Sequence, residues 1–232
     1  MHHIRSQKLC AISGYFIIVM FGLAFWPLSK FIPVPSPGLS PADVATIYQH
    51  NANGIRFGML LMTIAGGLVP LYVAVISIQM KRIEGASPIL TYAQLSAGSV
   101  GALFFIVPAL LFSVTAYRPD RAPELTALLN DMSWFFMVMP VVPAAVQNIT
   151  IGAAILSDRR PVPVFPRWLG FYNIWVAIFI LPGGLITFFK GGIFAWSGLL
   201  PFYVAGTVFG NWFIVMTMQL MKAINAQAVE SR

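Results

Sequence analysis

Six apolar stretches, each long enough to cross a lipid bilayer, dictate most of what this chain can become. With charges taken as punctuation they run Leu9–Trp26, Ile55–Met80, Pro88–Tyr117, Met132–Leu156, Trp168–Phe189 and Gly198–Met221. Each reaches or approaches the ~20 residues that cross a ~30 Å hydrocarbon core at about 1.5 Å per residue. None holds Asp, Glu or Lys, and the one Arg, Arg56, sits beside the end of its run. The expectation is an all-α polytopic transmembrane helix bundle of six spans, a single domain over residues 1–232. Composition agrees: with 58% hydrophobic and 9% charged residues, no water-soluble fold of this length could hide the apolar surface.

A formal charge of +7 would suggest nucleic acid in a soluble chain. Here the basic residues lie between apolar runs, where topology and anionic headgroups place them, so the partner is the lipid bilayer and not nucleic acid. An even number of spans puts both termini on one side. That side carries nine basic residues: Arg5, Lys8, Lys81, Arg82, Arg159, Arg160, Arg167, Lys222 and Arg232. The other carries five: Lys30, Arg56, Arg118, Arg121 and Lys190. The richer side is cytoplasmic by the positive-inside rule, which gives N-in/C-in. Arg5 and Lys8 before the first run imitate a signal peptide. "LAFWPLSKF" puts bulky residues where cleavage needs small ones, so the run is read as a span. Cys10 is alone, so there is neither an intramolecular disulfide nor a cysteine framework for zinc.

The two long outer connections share a pattern. "SPADVATIYQHN" offers Ser40 as N-cap, Pro41 at the first helical position and Asp43 three residues after the cap. "RAPELTALLND" places Pro123 and Glu124 ahead of an apolar-periodic stretch. Both predict short amphipathic helices in outer loops 1 and 2. The inner connection "SDRRPVPVFPR" is too rich in proline for regular helix and should run extended. Trp26, Trp134, Trp168 and Trp196 fall at span ends, where an amphipathic ring suits the membrane interface. Trp175 and Trp212 lie deeper and read as packing residues.

Five side-chain amides stand more than two residues inside the span ends: Gln94, Gln147, Asn148, Asn173 and Asn211. Counting from the inner span ends puts Gln94 and Asn173 about 9 Å deep, Asn148 about 13 Å and Asn211 about 15 Å. An unpartnered amide in hydrocarbon costs several kcal/mol, so all should point inward. Small residues one turn away, such as Gly98, Ala144, Gly152 and Gly170, fit close helix contacts. The amides are read first as interhelical packing groups, worth about 0.5–1.5 kcal/mol each, and second as the lining of a binding pocket. Pro70, Pro108, Pro140, Pro143 and Pro182 interrupt the spans, and the "GGLVP" and "LPGG" clusters of spans two and five occupy corresponding positions in a three-plus-three scheme. Proline and glycine are also simply common in membrane helices.

Chemistry is scarce. No carboxylate, histidine or lysine lies in a span core, which argues against an intramembrane proton relay or a Schiff base. No metal site and no cofactor is implied. The outer mouth gathers the one mixed polar set, and within it His50 with Asp131 as acid–base partners, beside Arg56, are the catalytic candidates. The stretches "NANGIRFGMLL", "LLNDMSWFF", "AILSDRRPVPVFPRWLGFYNIW" and "FAWSGLLPFY" make the chain resemble uncharacterised bacterial multi-span (six-helix) integral membrane proteins with no assigned activity. That resemblance implies the bacterial inner membrane and no reaction, and carries over no functional residue. Three functions fit this reading. One is binding or passage of a small uncharged or lipid-like molecule. Another is a membrane enzyme acting on a hydrophobic substrate at the outer mouth. The third is a structural subunit of a homo- or hetero-oligomer.

Overall fold

The computed structural model describes residues 2–230; Arg232, counted above among the basic residues, and the side chain of His2 lie outside them. Eight α-helices follow in order: α1 (His2–Leu23), α2 (Pro41–Glu84), α3 (Ile89–Val100), α4 (Leu103–Tyr117), α5 (Pro123–Val138), α6 (Val141–Ser157), α7 (Arg167–Ile180) and α8 (Ala205–Glu230). Shorter irregular turns extend three of them. A π-helical turn, Ala24–Leu28, continues α1, a 3-10 stretch, Leu181–Phe188, continues α7, and a π-helical turn, Leu199–Val204, precedes α8. Together they make six helical segments long and apolar enough to cross a membrane.

Ser40 caps α2 as its sequence suggests: its Oγ accepts the Asp43 N–H at 3.2 Å and donates to the Asp43 carboxylate at 2.6 Å. The helix it starts is no separate element, however. It runs on into span two and only bends at Asn51 (φ −137°, ψ 30°), whose Nδ2 donates to the Leu28 carbonyl at 2.8 Å. Likewise α5 continues through Met132 to Val138, because nothing near Asp131 stops a helix. The stop is Pro140, which lacks an N–H to continue the ladder and itself leaves helical geometry (φ −77°, ψ 59°), while Met139 before it is still helical.

The end holding both termini is tied by side chains. Gln79 Nε2 donates to Gln7 Oε1 (2.6 Å) and Gln227 Oε1 (2.9 Å), joining α1, α2 and α8. Arg82 donates to Gln79 Oε1 and pairs with Glu230, each at 2.7 Å. At the same end Glu84 accepts the backbone N–H groups of Leu90 and Thr91, so α2 caps the start of α3. The connection after α6 is non-helical, as its prolines require. Its organiser is Asp158, which accepts from Arg160 Nε (2.9 Å), Arg160 Nη2 (2.7 Å) and the Val164 N–H (3.0 Å). The Arg160 hydrogen bonds outweigh burial and, with the backbone N–H groups, hold the Asp158 carboxyl down at about 2.

Toward the opposite end the bundle is filled with rings. Phe25, Phe31, Phe112 and Trp134 are fully or almost fully buried, with Trp134 5.6 Å from Phe31 and 5.3 Å from Phe112 between centroids. Trp134 is therefore a core residue and no interface anchor: Asn130, one turn earlier, accepts its indole N–H at 3.2 Å and removes the need for water. Trp196 is also buried, donating to the Pro35 carbonyl at 3.0 Å, whereas Trp175 faces outward. Trp26 and Trp168 are exposed at their span ends, and Trp212 is buried packing.

Candidate functional site

Four spans are broken, and the breaks face one another. Span three changes direction at Gly101 and Ala102 between α3 and α4. Span four breaks around Pro140, span five tightens into the 3-10 stretch at Leu181, and span six opens with its π-helical turn. Between them lies a partly open cavity of about 540 Å³. Its wall takes Phe104 and Phe105 from just after the first break, Val138 and Val141 from either side of the second, Ile180 from just before the third, and Pro201 and Phe202 from the fourth. Irregular backbone at membrane depth persists only where protein buries it or where it lines a cavity. This arrangement does both.

The wall is overwhelmingly apolar. Its side chains with hydrogen-bonding capacity are Tyr203, Thr207 and Asn211, spaced four residues apart along span six. Asn211 is thus the one of the five span amides that lines the cavity, and on its open side it is exposed and not buried as its depth predicts. Its Oδ1 accepts the Tyr172 hydroxyl at 2.9 Å. Gln147 lines a second void of about 10 Å³, close to the size of one water, that shares Phe104, Phe105, Ala144 and Phe209 with the first.

The remaining amides are buried, as their depth requires, but they form two groups and not one belt. Gln94 Oε1 on α3 accepts Ser77 Oγ of α2 at 2.7 Å, and on α6 Asn148 Nδ2 donates to its own helix at Ala144 O, 2.9 Å away. A Cβ on Gly98 would come within 2.6 Å of Gln147 Nε2, so this glycine is what lets α3 meet α6. Gln94 Nε2, Gln147 Nε2 and Asn148 Oδ1 have no hydrogen-bond partner among the described residues. On the α7–α8 seam Asn173 Oδ1 accepts the Trp212 indole N–H at 2.8 Å, while its Nδ2 donates to Leu169 O at 2.8 Å. No hydrogen bond among the described residues joins one of the five amides to another.

At the end away from both termini the three catalytic candidates are exposed, each in its own surroundings. His50 Nδ1 lies 3.0 Å from Thr46 O. Arg56 donates to Asn53 Oδ1 at 3.3 Å and stands 5.8 Å from the centre of the Tyr117 ring. Asp131 follows Asn130, whose Oδ1 is occupied by the buried Tyr48 hydroxyl at 2.9 Å. No hydrogen bond or ion pair among the described residues links His50, Arg56 and Asp131, and no three His, Cys, Asp or Glu side chains there gather as metal ligands.

Two features escaped sequence reasoning. One is the buried relay in which Thr217 donates to the Tyr72 hydroxyl (3.1 Å) and Tyr72 to Phe213 O (3.2 Å). The other is the polar row on span six, which its four-residue spacing could have disclosed. No protein-family model matches the chain, and no curated protein and no solved structure matches it either.

Proposed function

We propose that this integral membrane protein binds a small uncharged or lipid-like molecule in the cavity among its broken spans. The observation that carries the reading is the convergence of four helix interruptions on one space of about 540 Å³, a volume within the ordinary range for ligand sites. Discontinuous helices near the membrane centre are a recurrent way to build such sites. The wall holds no ionisable side chain apart from the Tyr203 phenol, so an ion would find no counter-charge there. In this reading the end with both termini faces the cytoplasm of a bacterial inner membrane, and the Pro41–His50 arm and the first turns of α5 form the amphipathic helices of the outer loops. The five span amides serve mainly as packing groups, with Asn211 alone meeting the ligand.

Glycine supplies the test. A Cβ on Gly206, in the cavity wall, would meet nothing within 4 Å, and neither would one on Gly67, which is exposed on α2 away from the cavity. Gly206→Phe therefore fills the site without a backbone clash, and Gly67→Phe is its control. Saturable quenching of tryptophan fluorescence by 1-bromododecane should weaken at least roughly tenfold in Gly206→Phe and stay unchanged in Gly67→Phe. Equal quenching in the two variants would mean that the cavity is not where an apolar molecule binds.

A further inference from the structure

The polar row of span six says which kind of molecule suits this cavity. Tyr203, Thr207 and Asn211 recur every four residues, so they form one line along the wall, about 12 Å from first to last at 1.5 Å per residue. What matters is which of their atoms are already engaged. The Tyr203 oxygen accepts the Val34 N–H at 3.2 Å, so its own proton is left to donate. The Asn211 carbonyl oxygen accepts the Tyr172 hydroxyl at 2.9 Å, which leaves the Nδ2 protons.

Thr207 is more telling. Thr46, Thr63, Thr115, Thr126 and Thr150 all donate their hydroxyl to the carbonyl four residues back, as helix threonines do. Thr207, with the same option open, forms no hydrogen bond with any described residue. Along the row, then, Tyr203 and Asn211 each accept one bond from the protein and keep their protons, and the Thr207 hydroxyl is wholly free, so all three offer a donor. The rest of the wall is hydrocarbon.

We propose that the molecule held here is an apolar chain bearing an acceptor-only oxygen, a carbonyl of the ester or quinone type, received by the Tyr203, Thr207 and Asn211 donors. This rests on the reading of the cavity as a ligand site and adds the chemistry of recognition to it. A carbonyl oxygen brings two lone pairs and no proton, which matches what the row leaves over. In a wall so apolar a donor that finds its acceptor discriminates strongly against a molecule without one. An alcohol or amine would bring a proton that the unengaged Thr207 oxygen is the readiest to accept, and an alkane would leave the row unpaired.

The test compares matched probes on the purified full-length protein in nanodiscs, read by displacement of 1-bromododecane from tryptophan quenching. The probes are tridecane and 2-tridecanone, with methyl dodecanoate and a decyl-substituted benzoquinone as the two source arms. The ketone should bind roughly tenfold or more above the alkane, the value of one to two hydrogen bonds made in place of none. Thr207→Val with Asn211→Leu, both near-isosteric, should erase that advantage while leaving tridecane affinity as it was, which also shows that the variant is folded. Either source arm surpassing the alkane supports the proposal, and the tighter arm identifies the source. Equal binding of ketone and alkane overturns the proposal and leaves the cavity reading standing. Failure of every probe, the alkane included, overturns both.

Discussion

Replacing Asn173 with leucine isolates one buried hydrogen bond with little change in volume. Asn173 is fully buried on α7, and its Oδ1 is the acceptor, at 2.8 Å, for the indole N–H of Trp212 on α8, itself 1% exposed. Asn173→Leu keeps the packing but strands that N–H in a dry interface, where an unsatisfied donor costs about 1–3 kcal/mol. Interhelical hydrogen bonds in membrane proteins average only about 0.6 kcal/mol and reach about 1.7, because the dispersed helices also find partners. The two ranges overlap at a loss of about 1–1.7 kcal/mol for the single variant. Trp212→Phe removes the donor and retains a ring against Phe209, on which the indole stacks at 6.2 Å and 6°. The double variant should then show a coupling of about 1 kcal/mol, since the second change relieves the orphan left by the first. Unfolding in mixed micelles with rising SDS, followed by far-ultraviolet circular dichroism, gives all four stabilities without relying on tryptophan emission. Asn173→Leu as stable as the parent, with coupling under about 0.3 kcal/mol, would refute the claim that this bond holds spans five and six together.

Two glycines should respond oppositely to alanine. A Cβ on Gly14 would press into the Thr217 hydroxyl and lie 2.5 Å from Tyr72 Cε2, so Gly14→Ala should cost about 1–3 kcal/mol, whereas Gly206→Ala meets nothing and should add about 0.5–1 kcal/mol in the same unfolding assay. Asp158 sets a pH dependence: its carboxyl titrates at about 2 in the fold against 3.8 as the ordinary value, so about 2 kcal/mol of stability is present above pH ~5 and is lost as pH falls through 4 toward 2. Micellar unfolding midpoints across that range should fall for the parent chain and stay comparatively flat for Asp158→Asn.

The parts of the fold that were legible are those written locally. Charge-free length gave six spans, the Ser40–Asp43 spacing gave a true N-cap, and the three prolines after Asp158 gave a non-helical connection. The depth of Gln94, Asn148 and Asn173 correctly implied burial. Their partners were not legible, because a depth count carries no rotation about the helix axis. It cannot say that Asn173 meets Trp212 while Asn148 turns back to Ala144. Trp134 misled for a related reason: an indole near a span end suits the interface, yet Asn130 one turn away lets it be buried whole. The helix that carries span four starts earlier than its charge boundary, at Pro123, because Asp131 does not interrupt the backbone, which stops only where Pro140 forces it. The cavity itself was foreshadowed only by scattered prolines and by Asn211. It arises where breaks on separate spans come level, and no single stretch of sequence encodes that.

Span six is fastened at both ends to the same neighbours. At the terminal end Gln227 and Glu230 reach Gln79 and Arg82, and at the other Trp196 and Tyr203 hold the backbone of the Val34–Pro35 segment that joins α1 to α2. A bowstring fixed at both tips cannot swing aside. Ile180 of the cavity wall leads directly into the 3-10 stretch of span five, whose i-to-i+3 bonds have the poorer geometry. The Tyr203–Asn211 row is therefore carried by the helix held at both ends, and the looser backbone lies on the neighbouring span.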